Sequence, residues 1–143
     1  MFFDNIHKFK NNIALFFNDN NKIYFRDILS ISNKFQKIIK KRSLTILITD
    51  NCLESLCGYI ALLRSNNVIM LLDSNIKDKD LKFIINKFLP KFVFCSKVNQ
   101  KKLPKDYFSL EYSFQNFNLM KSKKENLYKI NDQLMVLIST SGS

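Results

Sequence analysis

Leu44-Thr45-Ile46-Leu47-Ile48-Thr49 is an apolar, β-branched run closed by Asp50-Asn51, and Val68-Ile69-Met70-Leu71-Leu72, closed by Asp73, follows the same plan. The second run does not alternate polar with apolar residues, which is how a strand covered on both faces of a parallel sheet reads. Between the two runs, Cys52 to Ser65 carries Leu53, Leu56, Ile60 and Leu63 at helical spacing, with Cys57, Gly58 and Ala61 small enough to admit a close neighbour. Asp50 or Asn51 is expected to cap this helix. Asn66-Asn67 is expected to end it, because Asn stands in for Gly in the left-handed backbone of a helix terminus. After Asp73, Leu81, Ile84, Ile85 and Phe88 share the inner face of a second amphipathic helix that Pro90 stops, and Phe92-Val93-Phe94-Cys95 makes the next strand. Strand and helix therefore alternate from Leu44 to Cys95, the pattern of consecutive βαβ units. A mostly parallel sheet, flanked by helices and joined by right-handed crossovers, is the expected outcome.

Toward the amino terminus, Ile13-Ala14-Leu15-Phe16-Phe17 and Lys22-Ile23-Tyr24-Phe25 flank Asn18-Asp19-Asn20-Asn21, which reads as a hairpin because Asn and Asp tolerate the backbone of tight turns. Ile28, Ile31, Phe35, Ile38 and Ile39 then recur at helical spacing, with Lys34, Lys37, Lys40 and Lys41 on the outer face. Toward the carboxyl terminus the pattern weakens. Lys97, Lys101, Lys102 and Lys105 dot a polar loop, Phe108 to Phe114 alternates loosely as a strand does, and Lys121-Ser122-Lys123-Lys124 reads as a surface loop. Leu134-Met135-Val136-Leu137-Ile138 reads as a buried strand and runs straight into Ser139-Thr140-Ser141-Gly142-Ser143. No repeat and no Pro- or Gly-rich linker interrupts residues 1–143, so no internal domain boundary is expected.

The chain has 143 residues, of which 46% are hydrophobic and 24% charged, a balance that supports a packed core and excludes disordered or collagenous classes. Its three cysteines, Cys52, Cys57 and Cys95, lack the two-residue spacing that gathers a metal and read as reduced thiols of a cytoplasmic protein. Met1-Phe2-Phe3-Asp4 has none of the marks of a secretory signal, and no apolar run approaches the roughly 20 residues of a membrane span. The single histidine, His7, sits in a polar setting and is expected at the surface.

A formal charge of +11, from 23 Lys and Arg against 12 Asp and Glu, raises nucleic acid as a partner. The lysines nevertheless fall on outer helix positions and loops from Lys8 to Lys129, while most phenylalanines fall on inner faces, which is the distribution of a solvated surface. The chain has only two glycines, Gly58 and Gly142. Gly142 stands among hydroxyls at the carboxyl end of a strand, where ligands bind in open α/β sheets. Thr140, Ser141 and Ser143 can donate to anionic oxygens, and Gly142 lets backbone N–H groups approach without a Cβ in the way, so the chemistry suits phosphate.

The order of segments resembles the amino-terminal part of the adenylate-forming superfamily, which includes acyl-CoA synthetases, peptide-synthetase adenylation domains and luciferases. Lys22-Ile23-Tyr24-Phe25-Arg26-Asp27-Ile28-Leu29 is similar to that family's Thr-Tyr-x-Glu-Leu opening of its first helix, with Asp27 near the acidic position. Asn51, Glu54-Ser55-Leu56 and Tyr59-Ile60-Ala61-Leu62-Leu63-Arg64 resemble its Asn-x-x-Glu and Leu-Ala-x-x-Arg-Ala-Gly helix, with Asn66-Asn67 in place of the small residue and Gly. Val68 to Asp73 matches the strand after it, and Leu89-Pro90-Lys91-Phe92-Val93 its Lys-Pro-x-x-Val step. Leu137-Ile138-Ser139-Thr140-Ser141-Gly142-Ser143 resembles the first half of its phosphate loop, Thr-Ser-Gly-Ser/Thr-Thr-Gly-x-Pro-Lys.

The resemblance implies an incomplete subdomain of a larger AMP-binding fold. In the parent reaction a carboxylic acid attacks the α-phosphate of ATP, and a thiol, amine or alcohol then takes the acyl group. ATP and Mg2+ are the parent's cofactors, and a small carboxylic acid with a thiol or amine acceptor its partners. Thr140, Ser141, Gly142 and Ser143 would bind the β and γ phosphates. The family's later loop residues, its acyl and adenine pocket, its magnesium-binding acid and its catalytic lysine have no counterpart in these residues. No catalytic or metal-binding residue is therefore assigned, and no tight cofactor binding is expected. Two other classes remain open, a small basic nucleic-acid-binding α/β domain and a freestanding α/β interaction module.

Overall fold

The parallel core is built from β3 (Leu44–Thr49), β4 (Val68–Asp73), β5 (Phe92–Ser96) and β8 (Val136–Ile138), in a computed structural model that describes residues 5–17, 21–124 and 128–138. Before it come a 3₁₀ turn (Ile6–Phe9), the strands β1 (Ile13–Phe17) and β2 (Asn21–Tyr24), and α1 (Phe25–Ile38); α2 (Leu53–Arg64) joins β3 to β4, and α3 (Asp78–Phe88) joins β4 to β5. A short α4 (Lys97–Gln100) and the hairpin β6 (Phe108–Phe114) and β7 (Phe117–Ser122) follow. The six-stranded sheet has the order β6-β7-β5-β3-β4-β8, antiparallel at β6-β7-β5 and parallel from β5 to β8. The expected α/β fold, with an amino-terminal hairpin and βαβ units, is thus present.

Strand alternation divides the apolar residues between two layers. Leu47, Ile69, Phe92 and Phe94 face α1 and α2, while Leu44, Ile46, Ile48, Val68, Met70, Leu72, Val93 and Cys95 face α3 through Leu81 and Ile85. Both faces of β3 are covered, which is why its residues lack the polar alternation of a one-sided strand. An aromatic cluster holds the first layer. The Phe94 ring meets Phe35 edge-on at 5.3 Å and Phe117 at 5.2 Å, and Phe35 meets Tyr112 at 6.0 Å.

The helix ends follow local chemistry. The Asp27 carboxylate accepts the Tyr24 N–H at 2.9 Å and so serves an orphan donor at the start of α1. At the end of α2, Asn66 has φ 55°, the Asn66 N–H donates to Leu63 O at 3.0 Å, and the Asn67 N–H donates to Leu62 O at 3.2 Å. This paired arrangement is a Schellman motif, with Asn66 in the glycine position as expected. Leu89, at φ 43°, ends α3 just before Pro90.

Four expectations need correction. The N-cap of α2 is Cys52, not Asp50 or Asn51; Asp50 instead closes its own turn, accepting the Asn51 N–H at 2.9 Å. Lys121 and Ser122 are not loop but the end of β7, where Ser122 is buried and its N–H reaches Lys91 O at 2.8 Å. Lys97 to Gln100 is a helical turn rather than loop, capped by Ser96 Oγ on the Asn99 N–H at 3.2 Å. Finally, only Val136–Ile138 of the last apolar run is strand, and it is a half-buried edge rather than a buried strand, with Ile138 71% exposed, because it pairs with β4 alone among the described residues.

Gly58 has the packing reason its surroundings suggested. A Cβ built there would overlap Cε1 and Cδ1 of the Phe94 ring and stand 3.3 Å from its Cζ. Alanine is the better helix former by about 1 kcal/mol, yet the overlap makes Gly58→Ala net destabilising by about 1–3 kcal/mol. Urea unfolding should show a lower midpoint for Gly58→Ala and a partial recovery when Phe94→Leu is added; a raised midpoint for the single variant would contradict the packing account.

Candidate functional site

Because β3, β4, β5 and β8 run the same way, their carboxyl ends form one edge of the sheet, where Thr49, Asp73 and Ser96 arrive level with one another. Helices leave β3 and β4 to opposite faces, which makes this edge the topological switch point of the sheet, the place where ligands bind in open α/β folds. Leu71 pairs with both Leu47 and Ile138, so the last described residue of β8 lies two residues before the ends of β3 and β4. The expected phosphate-binding residues Thr140, Ser141, Gly142 and Ser143 follow Ile138 and lie outside the described residues.

The described turns at this edge are internally satisfied. Asp73 accepts the Asn75 N–H at 2.7 Å, the Asp50 N–H donates to Ser55 Oγ at 2.8 Å, and Thr49 Oγ1 donates to Leu72 O at 3.0 Å. Lys102 Nζ crosses from the end of α4 to donate to Ser74 O and Ile76 O at 3.3 and 3.0 Å, holding the turn after β4. Asp50 and Asp73 are thus turn-building carboxylates rather than an acid–base pair. Among the described residues no three His, Cys, Asp or Glu side chains gather into a metal site.

The thiols offer no nucleophile in the core. Burial, with smaller contributions from Glu54, Asp27 and Cys52, pushes the Cys57 thiol up to about 12, and burial pushes Cys95 up to about 12. Both are therefore protonated at neutral pH. His7 is exposed, as expected.

One residue that sequence reasoning missed sets where β8 lies. Arg42 Nη1 donates to Asn66 O at 3.2 Å and Asn66 Oδ1 at 3.0 Å, while Nη2 donates to Asn131 O at 3.1 Å, Asp132 O at 3.3 Å and Leu134 O. The guanidinium thereby ties the α2–β4 corner to the segment feeding β8, and the Ile69 N–H donates to Met135 O at 3.0 Å to begin the pairing. A planar fork of donors is needed for so many carbonyls, which lysine lacks. The signal was in the sequence, since Arg42 is one of only three arginines among 23 basic residues, but its acceptors lie 24 and about 90 residues away.

No family model and no curated protein matches the sequence. Solved structures do match its fold. Apo MatB from Rhodopseudomonas palustris superposes with a TM-score of 0.56 at 18% identity over 68% of this chain and 20% of MatB. The NpsA N-terminal subdomain from Klebsiella oxytoca, in complex with 3-hydroxybenzoyl-AMSN, gives 0.53 at 18% identity over 64% of this chain and 24% of that one. ATP-bound MatB gives 0.50 at 18% identity, over 57% of this chain and 17% of MatB. The chain is an open α/β domain with the fold of the amino-terminal part of these proteins, and it matches about a fifth of MatB's length.

Loss of the Arg42 fork should loosen β8 before the rest of the sheet. Arg42→Ala is expected to cost about 2 kcal/mol, with hydrogen exchange at the Val136 to Ile138 amides accelerating more than at β3; equal acceleration in both strands would exclude the clamp. For the thiols, an alkylating reagent at pH 8 should modify Cys52 but leave Cys57 and Cys95 intact until urea is added. Rapid native labelling of either buried thiol would contradict the raised values.

Proposed function

We propose that the chain is the amino-terminal part of the AMP-binding domain of an adenylate-forming ligase, with residues 1–143 forming a single portion of that domain. The observation that carries this reading is β8. It pairs parallel to β4 and ends at Ile138, directly before Ser139-Thr140-Ser141-Gly142-Ser143 in the sequence, in a fold matched by ATP-bound MatB and by NpsA in complex with 3-hydroxybenzoyl-AMSN. The apolar edge of β8, with Ile138 exposed, supports an incomplete subdomain.

In this reading Thr140, Ser141 and Ser143 supply hydroxyl donors and Gly142 backbone access to the β and γ phosphates of ATP. A small carboxylic acid would attack the α-phosphorus of ATP, and the bond from that phosphorus to the bridging oxygen of the β-phosphate breaks, so that pyrophosphate leaves with Mg2+ offsetting its charge; a thiol or amine would then take the acyl group and AMP leaves. The work asked of the loop is electrostatic: donors held in place before charge spreads over the phosphoryl oxygens. No described residue is assigned to Mg2+ or to proton transfer, and the 143 residues alone do not make adenylate. Three free cysteines, two of them buried, and the absence of any described helix long and apolar enough to cross a membrane support a cytoplasmic setting.

The test reads the encoding DNA past the codon for Ser143 and assays the purified 143 residues. A Thr-Gly-x-Pro-Lys continuation is expected in one of the reading frames, and its absence from all of them overturns the assignment. The 143 residues should release no pyrophosphate from ATP with a panel of carboxylic acids, and release above the protein-free rate would refute inactivity.

A further inference from the structure

The opposite edge of the sheet carries a different chemistry. There, at the amino ends of the parallel strands, an open cavity of about 700 Å³ lies between the end of α1, the starts of β3 and β5, the end of β7 and residues 128–132. Among the described lining residues six are cations, Lys40, Lys41, Arg42, Lys91, Lys121 and Lys129, and one, Asp132, is a carboxylate. The remaining lining includes Ile38, Phe92, Tyr128 and Ile130, an apolar surface that strengthens any charge interaction above it.

Three of the cations are committed to the protein. Arg42 serves the carbonyls described above, Lys91 Nζ donates to Ser122 O at 3.3 Å and Lys124 O at 3.4 Å, and Lys121 lies 3.8 Å from Glu111. These account for their own positions, as lysines beside free carbonyls do. Lys40, Lys41 and Lys129 are exposed at the cavity and make no ion pair or side-chain hydrogen bond among the described residues. Repulsion among six like charges around one concavity is unfavourable unless an anion enters.

We propose that this cavity is a binding site for a small multivalent phosphate compound, with Lys40, Lys41 and Lys129 contacting the phosphates and Lys91, Lys121 and Arg42 supplying the surrounding field. The volume is that of a small-molecule site. A nucleic-acid strand would instead need a basic path along the surface with several exposed aromatics for stacking, whereas among the described lining residues Phe92 is buried and Tyr128 alone is an exposed aromatic, its hydroxyl tied to Phe88 O. The site lies at the amino ends of the parallel strands, opposite the end at which β8 stops at Ile138, and does not depend on the proposed ligase function.

Calorimetric titration of the 143-residue chain with inorganic tripolyphosphate at about 50 mM salt tests it. A single saturable isotherm is expected. Lys40→Ala/Lys41→Ala/Lys129→Ala should weaken it at least about tenfold, while Lys34→Ala/Lys37→Ala/Lys79→Ala, which removes the same charge from exposed positions elsewhere, should change it less than about twofold. Ser141→Ala/Ser143→Ala should leave it unchanged, which separates this site from the phosphate loop. Equal loss in the two lysine triples, loss only in the serine pair, or no saturable binding would overturn the proposal. So would a single-stranded oligonucleotide that binds more tightly than tripolyphosphate and weakens equally in both lysine triples.

Discussion

The fit of the Phe94 ring against Gly58 is the constraint on which the first layer of the fold depends. The ring lies on the helix backbone because residue 58 has no Cβ, and from that position it reaches Phe35 of α1 and Phe117 of β7. Two helices and the antiparallel extension of the sheet thus share one aromatic side chain, fully buried. Interiors packed at crystal-like density transmit such a constraint, since no void is available to absorb a shift. In a chain with two glycines, one is therefore spent on close packing, and the other, Gly142, follows β8 in the sequence among hydroxyl-bearing residues.

The sheet presents two edges of opposite design. At the carboxyl edge the described carboxylates and hydroxyls satisfy their own turns, and Lys102 fastens the turn after β4. At the amino edge, cations accumulate beyond what the local carbonyls require. Arg42 connects the two edges: it stands at the amino edge and holds residues 131–134, which lead into β8 and its pairing with β4.

Charge shows most clearly how sequence and structure divide the information. Lysines spaced along outer positions from Lys8 to Lys129 read as a solvated surface, and most of them are that. Lys40 and Lys41 after α1, Lys91 before β5, Lys121 at the end of β7 and Lys129 before β8 are far apart in the chain but reach one cavity. The sheet order does this by bringing the starts of β3 and β5 beside the end of β7, an adjacency that no local pattern encodes.

What the sequence determined by itself was the set of elements held by local chemistry. Burial on both faces left β3 and β4 as apolar runs, helical spacing marked the inner faces of α1, α2 and α3, and Asn66 and Pro90 placed two helix ends. It also carried the hydroxyl-rich segment at residues 139–143, whose structure lies outside the described residues. Tertiary structure alone decided that β7 exists, since Phe117–Ser122 is mixed in polarity and becomes a strand by pairing between β5 and β6 with Asn118 bonded to Gln100 at 2.6 Å. It likewise decided that β8 lies at the edge, that Arg42 is a clamp, and that six cations share one cavity. The physical reason is common to these cases: hydrogen-bond partners and electrostatic neighbours distant along the chain leave no periodic trace, whereas burial of a helix face or a strand does.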